Sequence, residues 1–291
     1  MLPLAIHWNV DPVLIHIGSW GLRWYSLCFV VAFLLGYWIV DRMFKREKVN
    51  EDYIGSLFMY IFLAILVGAR LGHCLFYEPN YYLTSAHWVE IFWPFHNGHF
   101  TGYEGLASHG AAVGILIALW LYWKRYRMNP WWILDRLVIV VALGGAFVRL
   151  GNLFNSEIYG VATDLPWGFV YERNGETVPK HPTQLYESLS YLVIFAVSYW
   201  YYLCKNGQFR TGKVFGWWLV ALFGARFLIE FVKNDQVGFE AGMTLNMGQL
   251  LSLPFIAGGL VIAWLANREK LPQGVFPKGE VKKPVNKEKK K

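Results

Sequence analysis

The fold class this sequence predicts is an all-α integral membrane protein with seven transmembrane helices, and three observations carry that expectation. The 291 residues are 55% hydrophobic and only 16% charged, with a mean hydropathy of +0.30. Apolar runs of the roughly 20 residues that a helix needs to cross a bilayer recur along most of the chain. Lys and Arg collect in alternate loops. The net charge of +7 does not mark a nucleic-acid partner, because its excess sits beyond Asn267 and not on one face.

Span 1, 24–41, opens on Trp24-Tyr25, rings that suit a headgroup boundary, and is followed by Arg42, Lys45, Arg46 and Lys48. Span 2, 53–77, carries Arg70, His73 and Tyr77 at i, i+3 and i+7, on one helix face. An aromatic-rich segment, 78–107, leads to span 3, 108–123, which opens on Ser108-His109-Gly110 and ends before Lys124, Arg125 and Arg127. Span 4, 131–150, begins with the Asp135-Arg136 pair, read as structural, and ends with Gly144 and Gly145, which permit close helix approach, then Arg149. The segment 151–184 leads to span 5, 185–203, whose start is Gln184-Leu185-Tyr186-Glu187 and whose end is followed by Lys205, Arg210 and Lys213. Span 6, 214–233, holds Arg226 and Glu230 at i and i+4, spaced to pair. Span 7, 247–266, opens on Asn246-Met247-Gly248-Gln249.

Most positive charge thus falls on one side, which the positive-inside rule makes the cytoplasm, with the N-terminus outside and the C-terminus cytoplasmic. Residues 1–266 form one seven-span membrane domain, with periplasmic segments 78–107 and 151–184. Residues 267–291 form a basic tail, expected to be disordered in the cytoplasm and drawn to anionic lipid. Arg23 is the first basic residue and Asp11-Pro12 interrupts the apolar start, so no cleavable signal peptide is expected. Cys28, Cys74 and Cys204 lie far apart without a CxxC, which predicts neither disulfide nor metal site.

Arg70, Arg136, Arg149 and Arg226 fall inside spans, where a charge costs a few kcal/mol and is a functional hypothesis by default. Arg70, Arg149 and Arg226 come late in spans that run outward, and the inward-running spans start with polar residues. Polar side chains therefore share one slab near the outer leaflet. The densest stretch runs from Arg149 to Gly160. Gly151 and Gly160 are expected to turn the backbone away from the helix, letting Asn152, Asn155 and Glu157 converge with Arg149.

Guanidinium groups suit a phosphate-bearing headgroup through forked, charge-assisted bonds, and they stabilise a phosphate that leaves. Arg70 is open to two roles, binding such a ligand or bonding loop carbonyls. His109 is placed to serve as a general base, because histidine titrates near neutrality. There is no HExxH, GxSxG or P-loop and no metal cluster; no cofactor is expected, and an enzyme here would activate a nucleophile of its substrate. A transporter or lipid-binding protein is the rival reading, against which stand the lack of an internal repeat and the single depth of the charges. An intramembrane protease would need paired aspartates or a Ser-His pair that the spans lack.

The run Arg149-x-Gly151-Asn152-x-x-Asn155-x-Glu157-x-x-Gly160 resembles the signature of the bacterial prolipoprotein diacylglyceryl transferases. Further matches follow in order: Trp24-Tyr25, Gly68-Ala69-Arg70-x-Gly72, Ser108-His109-Gly110, His181-Pro182-Thr183-Gln184-Leu185-Tyr186-Glu187, Arg226-x-x-x-Glu230-Phe231 and Met247-Gly248-Gln249-x-x-Ser252-x-Pro254. The resemblance implies a multi-pass enzyme of the bacterial inner membrane, with its site toward the outer leaflet and periplasm. It would move the diacylglyceryl group of phosphatidylglycerol onto the thiol of the lipobox cysteine in a prolipoprotein signal peptide, forming a thioether and releasing glycerol 1-phosphate. It assigns His109, Arg149 and Arg226 to catalysis, the arginines on phosphate and His109 on the thiol. Tyr25, Asn152, Asn155, Glu157 and Gly160, with Arg70 and Glu230, would bind the lipid. The chain departs from the family pattern at Val148, Leu153, Ala111 and Leu222, the last standing where a Tyr is usual.

Overall fold

The computed structural model describes residues 5–276, apart from 18–19, 84–87, 94, 97–98, 101–104, 106 and 235–242. The tail from residue 277 and part of the 78–107 segment lie outside the described residues. The elements follow in the order β1 (Ile6–Trp8), β2 (Val13–Ile17), β3 (Trp20–Arg23), α1 (Trp24–Arg46), α2 (Glu51–Phe76), α3 (Pro79–Tyr82), β4 (Phe95–His96), β5 (His99–Phe100), α4 (Ser108–Tyr126), α5 (Pro130–Phe154), β6 (Phe169–Tyr171), α6 (Thr183–Cys204), α7 (Lys213–Ile229) and α8 (Met247–Asn267). Short 3-10 turns occupy Trp88–Ile91, Glu172–Asn174 and Glu230–Val232.

The seven long helices overlap the seven spans expected from the sequence. Five of them, α1, α2, α5, α7 and α8, are both long and apolar enough to cross a membrane. α6 falls outside that set and carries Gln184, Glu187, Ser188, Ser190 and Ser198 along its length. It still turns an apolar stripe outward, Leu189, Val193, Val197 and Trp200, as α4 does with Val113, Leu116 and Trp120.

Short strands are the element the sequence did not announce. β2 and β3 form an antiparallel hairpin, β4 pairs with β5, and β1 runs parallel to β6 with Ile6 opposite Phe169 and Trp8 opposite Tyr171. Three-residue strands carry too little alternation to be read, and the β1–β6 pair joins residues distant in the chain. Its stabilisation is tertiary: the Trp8 ring lies 5.9 Å from Phe154 and 5.6 Å from Phe169, and its indole N–H donates to the Leu153 carbonyl at 3.0 Å.

The chain divides into two compact units, Met1–Glu47 with Trp131–Gln273, and Lys48–Pro130 with the chain from Gly274. In the first, α1 lies on α5 with Phe44 edge-on to Trp132 at 5.3 Å. α6 meets α5 where the Ser188 hydroxyl donates to the Ala146 carbonyl at 3.1 Å, and α7 meets α8 through the stacked Phe223 and Phe255 rings, 4.3 Å apart. At one end of α5, Arg136 grips Glu47 through Nε at 3.0 Å and Nη2 at 2.7 Å. Beside it Asp135 accepts the Gly212 and Phe215 N–H groups at 2.7 and 2.8 Å. That pair is structural, as read from the sequence.

In the second unit α2 and α4 cross at backbone contact. A Cβ on Gly110 would stand 2.1 Å from the Gly68 carbonyl oxygen, so only glycine fits there, in the manner of membrane helices that pack through small residues. The Tyr122 hydroxyl donates to the Tyr53 carbonyl at 2.8 Å, tying the other end of the crossing.

Candidate active site

The polar residues expected to converge do so, by a route different from the one expected. α5 does not turn away at Gly151; it continues through Asn152 to Phe154. Gly151 serves approach instead, since a Cβ there would lie 2.7 Å from the Tyr25 ring, and this brings Tyr25 at the start of α1 against the Arg149 turn of α5. The backbone leaves the helix at Ser156 and Ile158, both in the left-handed region at φ 55° and 62°. For a β-branched residue such as Ile158 that conformation costs about 1–3 kcal/mol.

Hydrogen bonds to three successive carbonyls hold the strained turn. Asn174 Nδ2 donates to Ser156 O at 2.7 Å, Gln184 Nε2 to Glu157 O at 2.7 Å, and Thr183 Oγ1 to Ile158 O at 2.7 Å. Gln184 is itself oriented by the Tyr171 hydroxyl, 3.0 Å from its Oε1. Burial pushes the Tyr171 phenol above its ordinary pKa, so it remains a proton donor. The Thr183-Gln184 pair at the start of α6 thus positions Glu157, two segments away in the chain.

The side chains form a relay. Arg149 Nη1 donates to Asn152 Oδ1 at 3.0 Å, Asn152 Nδ2 donates to Glu157 Oε1 at 2.8 Å, and Asn155 Nδ2 donates to the same oxygen at 3.1 Å. Arg149 also pairs with Oε2 of Glu187 on α6 and lies within electrostatic reach of the Tyr191 phenol. Tyr191 lies within electrostatic reach of both Arg149 and Arg226.

Arg226 and Glu230 do not pair, contrary to the spacing argument. α7 ends at Ile229 and passes into a 3-10 turn from Glu230; the Glu230 N–H still bonds the Arg226 carbonyl, so the side chains part because the carboxylate finds other partners. Glu230 swings toward α8, where a Cβ on Gly248 would stand 2.5 Å from its carboxylate, and accepts from Lys233 Nζ at 3.3 Å. Lys233 also donates to Glu187 Oε1 at 3.5 Å. Arg226, half-buried, makes no ion pair or hydrogen bond among the described residues. Gly160 lets the Glu230–Lys233 turn pass over it: a Cβ there would lie 2.1 Å from the Val232 carbonyl oxygen and 2.8 Å from the His181 Cβ.

Sequence reasoning missed Lys233 and Tyr191 and counted Glu187 only as a polar residue at a span start. A signal for Lys233 existed, since it stands seven residues after Arg226, two helical turns on. Tyr191 looked like one aromatic among many.

In the second unit His109 is exposed at the start of α4, whose entry is tied to α2 by the Ala107 N–H to Ala69 carbonyl bond of 2.9 Å. Arg70 is buried at 6% exposure and bonds loop carbonyls: Nε donates to Ile91 O and Nη2 to Glu90 O, each at 2.9 Å, with the guanidinium 4.8 Å from the Tyr82 ring centre. His73 stacks on Tyr77 at 5.7 Å, and its Nε2 lies 3.8 Å from Glu78. Among the described residues no group of three His, Cys, Asp or Glu side chains could hold a metal ion.

Comparison with known proteins accords with this arrangement. The family profile described as "Prolipoprotein diacylglyceryl transferase" matches residues 12–265. A Bacteroides fragilis protein named "Phosphatidylglycerol--prolipoprotein diacylglyceryl transferase" is 41% identical over 273 residues, covering 92% of this chain and 98% of its own. Proteins of the same name are 42% identical in Tolumonas auensis, over 91% of this chain and 99% of theirs, and 42% identical in Porphyromonas gingivalis, over 92% and 95%.

Proposed function

We propose that this chain, which belongs to the prolipoprotein diacylglyceryl transferase family, is a multi-pass membrane transferase that moves the diacylglyceryl group of phosphatidylglycerol onto a prolipoprotein. The acceptor is the thiol of the lipobox cysteine in the signal peptide. Its sulfur bonds to the glyceryl carbon that carried the phosphate, the carbon–oxygen bond breaks, and glycerol 1-phosphate leaves with the bonding electron pair. The thiol proton passes to His109. Arg149 and Arg226 hold the phosphate and offset the charge that grows on it. Glu157, with one oxygen committed to Asn152 and Asn155, and Tyr25 line the headgroup site, while Asn152 orients Arg149. Gly160 and Glu230 shape the adjoining turn, and Arg70 holds the loop at Glu90 and Ile91.

One observation carries the reading. Arg226 has no carboxylate partner among the described residues, and Tyr191, one turn beyond the Glu187 that holds Arg149, feels the charge of both arginines. A phosphodiester supplies the oxygens onto which a guanidinium forks.

All seven long helices cross the bacterial inner membrane, N-terminus outside, and the site faces the outer leaflet. The outward apolar stripes of α4 and α6 support their inclusion, because exposed apolar faces of that extent suit lipid and not water. Purified protein in detergent with phosphatidylglycerol and a synthetic lipobox peptide tests the reaction: glycerol phosphate release should match a diacylglyceryl mass gain on the peptide. Lipid binding without either product, under conditions where a related transferase turns over, would leave the binding or transport reading in its place.

A further inference from the structure

Glu187 is one carboxylate serving two cations. It is buried, with 1% of its side chain exposed, and its Oε2 faces Arg149 while its Oε1 accepts from Lys233 at 3.5 Å. Lys233 is nearly as deep, 3% exposed, and reaches Glu230 at 3.3 Å as well. A carboxylate this far from water is costly once it loses its partner. A phosphate that claims the Arg149 fork therefore competes with Glu187, and the outcome depends on what remains to compensate Glu187. Lys233 already stands there, and its ammonium is a point charge on a flexible stem that can close on a carboxylate from many directions, unlike a planar guanidinium.

We infer that Lys233 is a positioning residue for the transfer reaction: it takes over Glu187 when the phosphate of phosphatidylglycerol draws Arg149 away, so that Arg149 exchanges a protein carboxylate for the lipid phosphate without stranding a buried charge. The inference rests on the proposed transferase reading and adds to it a counter-ion exchange. Glu187 holds Arg149 in the lipid-free protein, in competition with substrate, and Lys233 sets how firmly. The Glu230–Lys233 turn crossing Gly160 and the notch that Gly248 leaves for Glu230 keep the lysine within reach.

Steady-state kinetics of the full chain in mixed micelles, varying the mole fraction of phosphatidylglycerol at saturating lipobox peptide, separate the possibilities. Glu187→Gln should lower KM for the lipid roughly tenfold, because a neutral amide releases Arg149 more readily. Lys233→Met should raise KM by about the same factor with a smaller change in kcat. The double variant Lys233→Met/Glu187→Gln should keep the lowered KM of Glu187→Gln, because Lys233 acts only through Glu187, and Lys233→Arg should fall between wild type and Lys233→Met. A purely structural salt bridge would raise KM in both single variants and more so in the double. A raised KM in Glu187→Gln, or an unchanged KM in Lys233→Met, overturns the inference; if Lys233→Met does not fold, the sign of the Glu187→Gln change decides alone. Failure of the wild-type chain to turn over would remove the transferase reading itself, whereas turnover without the opposed KM changes removes only the exchange.

Discussion

Arg136 and Arg149 stand near opposite ends of α5, and what surrounds each is the ground on which only Arg149 is proposed for the chemistry. Arg136, 2% exposed, meets Glu47 with two donors, the Trp132 and Gly207 carbonyls at 3.2 and 2.9 Å, and the faces of Trp132 and Phe209 at 4.1 and 4.9 Å. Glu47 is in turn bonded by the Tyr202 hydroxyl at 3.0 Å. Hydrogen bonds and ring faces enclose this guanidinium on every side, and such a completed network makes a scaffold. Arg149 shares its carboxylate with Lys233 and touches an amide, and in the same unit Arg226 has no counter-ion among the described residues. The lesson is that an arginine inside a span becomes a functional candidate through what its neighbours leave undone, and its depth alone does not decide.

The largest effect expected at the scaffold end is from Arg136→Ala. Removing the guanidinium leaves Glu47, 11% exposed, with only the Tyr202 hydroxyl among the described residues and opens a cavity, which should cost about 2–4 kcal/mol of stability, seen as a lower thermal midpoint in detergent, while turnover per folded molecule is kept. At the other end Arg149→Ala should reduce kcat/KM by roughly 10²–10³-fold, the loss typical when a group stabilising developing charge is removed, with the thermal midpoint changed far less. Equal stability losses at both sites with no difference in turnover would erase the contrast. Gly160→Ala is intermediate. Its methyl must displace the Val232 carbonyl and should cost about 1–3 kcal/mol, and because it shifts the turn bearing Lys233, it should also raise KM for phosphatidylglycerol. The smallest effect belongs to an exposed pair: His7 and Glu172 meet at 2.7 Å with side chains 68% and 39% exposed, so His7→Ala should move stability by less than about 1 kcal/mol and leave activity as it was.

Much of this protein was legible in its residues. Helix lengths follow from runs of apolar residues that alternate with basic loops, and among the described residues seven long helices overlap those runs, five of them long and apolar enough to cross a membrane, because hydrogen bonding within a helix is a local solution for the backbone. Arg149, Asn152, Asn155 and Glu157 were identifiable as one group because they lie within nine residues and chain proximity limits how far they can separate. Tertiary structure alone decided which groups share partners. That Glu230 serves Lys233 and not Arg226 depends on the notch that Gly248 opens in another helix. That Arg70 binds the Glu90 and Ile91 carbonyls depends on the path of a loop, and the pairing of β1 with β6 on Trp8 finding a cluster formed by Leu153, Phe169 and Tyr171. By itself the sequence determined the helices and the inventory of charges, since both arise from local composition. The assignment of each buried charge to its partner was left to the fold, because in a low-dielectric interior a few ångströms of displacement decide whether an ion is compensated or reactive.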